Sequence, residues 1–339
     1  MEKFEETFPE MNNGEKNVSN NEAIVYLPKY EKPDQTTNIW LKSFTSLALY
    51  LVLGFYIFRS FNMLLMITAI VIFHELGHFF AMKFFRYKDL GIFFIPLLGA
   101  YVSGTKREVS QKESAIILLA GPLPGIILGI ILYQLYQYNS QLEIAGISFY
   151  TISLLLIFLN LINLIPVYPL DGGQLLNRVF MDEESWISKG FVFLSAAFLC
   201  WVALFAMKPP FYPLLLFPAL MLLRFFSDNK LKIAEKKIEE SGFDMDKSYE
   251  ELPDKDYWAI RNILITEHIA FKDVQPSPPY EYDAKEEKIM TTIKSLLHRH
   301  LVHDVSIAGK IFLLIIWAAA IASPWLLNMD LYFLHRFGL

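Results

Sequence analysis

The chain has 339 residues, a formal net charge of −5 and a single cysteine, Cys200. Without a basic patch this charge excludes a nucleic-acid partner, and one cysteine excludes an internal disulfide. Hydrophobic residues reach 54%, above the roughly 45–50% of soluble domains. The excess sits in long blocks between short charged stretches, which is the pattern of a multi-spanning membrane protein.

Residues 1–42 are polar and acidic and have no apolar core of a signal peptide. They predict a solvated, disordered tail, so a span retained in the chain must direct insertion. A membrane helix needs about 20 mostly apolar residues. Seven runs suit that role: 43–59, 61–85, 113–137, 147–167, 188–207, 211–227 and 306–327, the sixth weakened by Pro213 and Pro218. Residues 91–104 are apolar but too short to span, and Pro96 and Gly99 interrupt them. They predict a strand, a turn and a second strand dipping into the membrane, where such backbone survives only packed in protein or lining a wet cavity.

Lys and Arg crowd 83–112 and 224–237 and are missing from Tyr138–Gly146. This bias puts the N-terminus and the loops 86–112, 168–187 and 228–305 in the cytoplasm and the C-terminus outside. Residues 228–305 predict a small soluble helical segment, with helices at 229–241, 254–268 and 284–300 and a Pro-rich joint at Gln275–Pro279. The expected fold is an all-α polytopic membrane protein of about seven transmembrane helices, with a short membrane-entering β-hairpin and that helical cytoplasmic segment. Its parts are the tail 1–42, a transmembrane core with flanking spans at 43–227, the soluble segment 228–305, and a final span and tail at 306–339.

The chemistry concentrates in His74-Glu75-Leu76-Gly77-His78, within the apolar run 61–85. The i, i+4 spacing puts both imidazoles on one helical face, within reach of one metal ion. Glu75 is placed to take a proton from an attacking water. Three ionisable groups inside a span are expensive and point to function rather than packing. Catalytic zinc sites usually have three protein ligands. The candidate for the third is Asp171, in Asn163-Leu-Ile-Pro-Val-Tyr-Pro-Leu-Asp171-Gly172-Gly173, where two prolines break the helix. The competing reading of Asp171 is an interfacial Asp-Gly turn.

These two motifs together resemble the site-2 protease family of intramembrane metalloproteases, with His-Glu-x-x-His on one transmembrane helix and Asn-x-x-Pro followed by Leu-Asp-Gly on another. The resemblance implies that His74, His78 and Asp171 bind one Zn2+ per chain, that Glu75 is the general base, and that Asn163 helps to hold the substrate or the oxyanion. Ala120-Gly121-Pro122 is a further match, but family members often carry Asn three residues after the Pro, where this chain has Gly125. The segment 91–104 is similar to the family's membrane-entering hairpin. That likeness makes Gly99 and Tyr101 candidate substrate contacts through strand addition. The resemblance covers roughly residues 43–185.

The function so implied is zinc metalloendopeptidase activity on peptide bonds within or next to transmembrane segments, as in regulated intramembrane proteolysis. The expected partners are a transmembrane protein substrate and membrane lipid, and the expected location is a bacterial cytoplasmic membrane; the oligomeric state stays open. Three alternatives compete. A membrane-anchored protease with a soluble active site takes its third ligand from a downstream soluble helix. A metal transporter spreads its ligands over repeated halves. A pseudoenzyme lacks Glu75 or a ligand. His298, His300 and His303 are read as a basic strip before the last span rather than as a second metal site.

Overall fold

The computed structural model describes residues 26–31, 38–58, 60–96, 98–106, 109–181, 185–245, 247–297 and 301–329. Most of the expected tail, the Arg59 turn, His298 and His300 lie outside the described residues.

Helix α1 (Ile39–Phe58) leads to α2 (Phe61–Phe84), the hairpin strands β1 (Lys88–Ile95) and β2 (Gly99–Thr105), and the short β3 (Val109–Ser110). Then come α3 (Gln111–Ala120), α4 (Pro122–Tyr138), a two-residue hairpin pair β4 (Glu143–Ile144) and β5 (Ile147–Ser148), and α5 (Phe149–Leu164). Helix α6 (Asp171–Leu175) continues as a π-helical turn, α7 (Trp186–Trp201) does the same, and α8 (Leu216–Glu240) follows. Helices α9 (Asp254–Glu267) and α10 (Glu286–Leu296), strand β6 (Leu301–Val302) and α11 (Ile307–Leu326) complete the order.

Helix starts leave N–H groups without intrahelical partners, which apolar surroundings penalise. Serine side chains meet this need repeatedly: Ser60, Ser110, Ser148, Ser185 and Ser306 each accept from the N–H three residues on. Asp304 reinforces the start of α3, taking the Ser110 hydroxyl at 2.7 Å and the Lys112 N–H at 3.1 Å.

Among the described residues, five helical stretches are long and apolar enough to cross a membrane: Ile39–Tyr56, Phe61–Phe84, Gln111–Tyr138, Trp186–Ala206 and Ile307–Leu326. The other two expected spans are apolar but shorter, Phe149–Leu164 and Tyr212–Leu223. Pro166 stops the first. At the second, the α-helix begins only at Leu216, after Pro209, Pro210 and Pro213, and then runs through residue 227 into charged sequence as one 25-residue helix. The span expected at 113–137 is two helices that meet at Gly121.

Helix α2 is central and touches α1, the hairpin, α3, α4 and α5; α4 and α5 pack along each other, and α11 lies against both. The hairpin is antiparallel, with Phe93 opposite Tyr101 and Ile95 opposite Gly99. Its β1 side rests on α1, where the Phe94 N–H donates to Ser46 Oγ at 3.1 Å. The pairs β3–β6, which is parallel, and β4–β5 are additions that the sequence did not signal. A separate core runs from Ala234 to Leu297 across the charged half of α8, α9 and α10, with Tyr26 and Tyr30 packed on it. Within the stretch read as a solvated tail, residues 26–31 therefore lie against protein.

Candidate metal centre

On α2, His74 and His78 share one face, and both are buried with Glu75. Asp171 reaches them from the first turn of α6. Its Oδ2 lies 3.1 Å from His74 Nε2 and 3.3 Å from His78 Nε2, and the two Nε2 atoms are 3.1 Å apart. Ligand atoms on a tetrahedral zinc at about 2.0–2.1 Å lie about 3.3 Å from one another, so this triangle has the right size.

The hydrogen bonds behind the triangle decide what it can hold. Asn160 Nδ2 donates to Leu156 O at 2.7 Å, which turns Oδ1 toward His74 Nδ1, also at 2.7 Å. An amide oxygen only accepts, so His74 carries its proton on Nδ1. His78 Nδ1 faces the Ile117 carbonyl at 2.7 Å and is protonated for the same reason. In the neutral imidazoles that a metal requires, both Nε2 atoms then turn lone pairs toward Asp171 Oδ2, a buried oxygen with no hydrogen-bond partner among the described residues. Three converging acceptors with no proton between them fit a cation, and two imidazoles with one carboxylate suit zinc. His74, His78 and Asp171 are also a group whose ligand atoms lie close enough together to hold one ion.

The third corner depends on a broken helix. After Leu164 the chain leaves α5 and re-enters a helix at Asp171. The loop between is pinned where the Tyr168 N–H donates to Ser195 Oγ on α7 at 3.1 Å, and where Gln174 Nε2 donates to Pro169 O at 2.8 Å. Gly172 backs onto the stub of α5, since a Cβ there would meet Leu164 O at 2.1 Å. Close approach of backbone is therefore the reason for this glycine. Trp317 on α11 donates its indole N–H to the same Leu164 carbonyl at 2.9 Å, which satisfies a helix-end acceptor inside the bundle.

Two cavities of about 740 Å³ each meet at the site. They share His74, Glu75, Leu98, Gly99, Ala100, Asn163, Leu170 and Phe217 as lining. One continues between apolar side chains such as Ile67, Val71, Leu155 and Phe158. The other continues past Tyr87, Ser103, Lys106, Gln174 and Arg178. All seven residues singled out from the sequence line this second cavity: His74, Glu75, His78, Gly99, Tyr101, Asn163 and Asp171. Strand β2 forms part of its wall from Gly99 to Gly104, and its outer edge has no strand partner among the described residues. Gly99 has φ +116, a conformation that favours glycine, with nothing near a Cβ. Asn163 Nδ2 donates back to Leu159 O at 3.1 Å, and its amide keeps a second hydrogen for a ligand.

Asn160 and Trp317 are the residues that sequence reasoning undervalued. Asn160 is completely buried. Its neighbour is the clue: a Cβ at Gly125 would meet Asn160 Nδ2 at 2.2 Å, so the missing side chain at 125 is the space that Asn160 uses. Gly121 plays the same part for His78, whose Nε2 lies 2.3 Å from where its Cβ would be. An indole in mid-span, away from the interfacial belt, needs an acceptor and could have flagged Trp317.

Comparison with known proteins follows the same lines. Residues 62–153 match peptidase family M50, a stretch that holds His74, Glu75 and His78 and ends before Asp171. Zinc metalloprotease MJ0392 of Methanocaldococcus jannaschii is 31% identical over 132 residues, 39% of this chain and 38% of that protein. Stage IV sporulation protein FB of Bacillus subtilis is 33% identical over 122 residues, 35% of this chain and 41% of that protein. The chain thus spans about two fifths of the length of these relatives. The solved Site-2 Protease from Methanocaldococcus jannaschii aligns with a TM-score of 0.39 at 24% identity, covering 53% of this chain and 84% of that one.

Proposed function

We propose that this chain, whose residues 62–153 match peptidase family M50, is a member of the site-2 protease family and an intramembrane zinc metalloendopeptidase. It hydrolyses peptide bonds within or next to transmembrane segments of membrane proteins, as in regulated intramembrane proteolysis. The observation that carries this reading is the meeting of His74 Nε2, His78 Nε2 and Asp171 Oδ2 among apolar helices, with Glu75 beside them.

His74, His78 and Asp171 would hold one Zn2+ per chain, which when bound would supply the Lewis acidity that polarises the scissile carbonyl and activates water. Glu75 accepts the attacking water's proton and returns it to the leaving amine nitrogen. Asn163 offers its second amide hydrogen to the carbonyl oxygen as charge develops there. A helical substrate keeps its carbonyls in hydrogen bonds and must unwind locally. The outer edge of β2, around Gly99 and Tyr101, takes the unwound stretch as an added strand. The apolar cavity admits the substrate helix, and the polar one admits water.

The seven-span topology, the cytoplasmic N-terminus and the bacterial cytoplasmic membrane belong to this proposal. Reporters fused after Lys237 and at Leu339 should read inside and outside respectively; the same side for both would remove the span at 307–326, and a reversed pair would remove one before Lys237, at 212–223 first. The test of function is reconstitution with a transmembrane substrate. Glu75→Gln should keep its zinc and lose about a hundred- to ten-thousandfold in cleavage rate, the usual worth of a positioned base. A zinc-loaded Glu75→Gln protein that cleaves at the wild-type rate sinks the assignment.

A further inference from the structure

The core of the helical module between Ala234 and Leu297 is not covered by the module's own helices alone. Residues 26–31 lie along one strip of it. Three backbone carbonyls of this segment accept hydrogen bonds from aromatic side chains of the module. Leu27 O takes the Trp258 indole N–H at 2.7 Å, Pro28 O the Tyr282 hydroxyl at 2.6 Å, and Tyr30 O the Tyr249 hydroxyl at 2.6 Å. The Lys29 N–H donates to Asp254 Oδ1 at 2.8 Å. The Lys29 ammonium donates to Glu250 O at 2.6 Å and Leu252 O at 2.9 Å, and stands 5.7 Å from the centre of the Tyr249 ring.

A tail that merely rests on an apolar surface buries side chains and leaves its backbone to water. Here the module supplies aromatic donors to successive main-chain acceptors and one pocket for a cation. Grooves that bind short peptides work in this way. Proline suits such a ligand because it has no N–H to satisfy and restricts the residue before it, which lowers the entropy lost on binding. Burial, and then nearby carboxylates such as Glu286, raise the titration of Tyr249 and Tyr282, so both hydroxyls remain donors.

We propose that this module is a peptide-binding domain, that its ligand is a short segment of the pattern aromatic-Leu-Pro-Lys-aromatic, and that Tyr26–Glu31 is its resident ligand in cis. Only residues 32–38 separate this ligand from α1. A connection that short gives the tethered segment an effective concentration on the order of millimolar. A segment from another protein must therefore displace it to bind. The tether also ties the module to α1, the helix that carries the β1 side of the hairpin.

The test uses the full-length protein in detergent and a fluorescein-labelled peptide with the sequence of residues 24–33. Wild type should bind it weakly. A Pro28→Gly/Lys29→Ala chain, with its own ligand weakened and the groove intact, should bind it at least tenfold more tightly. Adding Tyr282→Phe to that chain should cost several-fold, because Pro28 O of the peptide loses its donor. A peptide with Ala for its Lys should compete poorly. The backbone amide of residue 29 should exchange with solvent more slowly in wild type than in the double variant, each relative to its own unfolded rate. Equal peptide affinity for the two chains, or equal exchange, overturns the proposal. So does a photocrosslinker at position 26 that joins heavy- to light-isotope copies, since the occupant would then be a second chain.

Discussion

Among the described residues two clusters of ionisable side chains are buried, and they differ in completeness. In the helical module the side chains of Arg261 and Glu286 are 1% exposed. Arg261 Nε and Nη2 donate to the two Glu286 oxygens at 2.8 and 3.0 Å, and Nη1 to Gln275 O at 3.1 Å. The Tyr257 hydroxyl and the Asp283 N–H also donate to Glu286. In the membrane core His74, His78 and Asp171 are also buried, yet they turn three acceptors toward one point and Asp171 Oδ2 has no donor among the described residues. Burial of charge is common to both clusters. What separates a ligand site from a structural ion pair is that one is closed by its own partners and the other only by something added.

The largest effect that separates the clusters is in metal content. Asp171→Ala and His78→Ala should each lower zinc affinity by orders of magnitude and abolish cleavage, whereas Glu286→Gln should leave zinc unchanged. Elemental analysis of purified protein reads all three, and full zinc in Asp171→Ala would make the third-ligand assignment wrong. Next, Glu286→Gln leaves Arg261 buried without its counter-charge, which should destabilise the module by about 3–5 kcal/mol. Faster amide exchange across 254–297 is the readout. Replacing both partners, Arg261→Met with Glu286→Leu, should recover most of that loss, and failure to recover would mean the pair does more than fill space.

A smaller effect belongs to Asn160. Alanine there removes the acceptor that holds His74 with its Nε2 lone pair inward, and partners of this kind are typically worth about 10–100-fold in metal affinity. A zinc titration against a competing chelator measures it; an unchanged constant would reduce Asn160 to packing. The smallest expected effect is at the hairpin. Successive N–H groups of a strand point to opposite sides, so only one of Tyr101→Pro and Val102→Pro removes a donor from the outer edge of β2. That variant should lose about five- to tenfold in cleavage with zinc retained, the worth of one hydrogen bond. The other should lose thermal stability through the β1 pairing. If both stay folded, zinc-loaded and fully active, strand addition is wrong.

The sequence was most legible where meaning is local. Spacing i, i+4 set His74 and His78 on one face, and an apolar run placed them inside a bundle. Pro96 and Gly99 located a hairpin turn, and the charged helices of 228–305 appear close to where periodicity put them, at 254–267 and 286–296 for the last two. Asp171 was visible as a lone carboxylate after a broken helix. The other relations join distant residues. His74 and Asn160 are 86 positions apart, Trp317 and Leu164 are 153, and Trp258 and Leu27 are 231. Nothing in local periodicity marks such a pair, because each is settled by which helix faces meet and where a missing side chain leaves room, as Gly125 does for Asn160. Span lengths were misjudged for a similar reason. Hydropathy counts apolar residues, but prolines and neighbouring elements decide where the helix begins, at Leu216 on one side and after the broken end at Leu164 on the other. The chemistry of the ligands was thus written in residue types and spacing, while their tautomers, the groups that position them and the binding of the tail on the module came from packing.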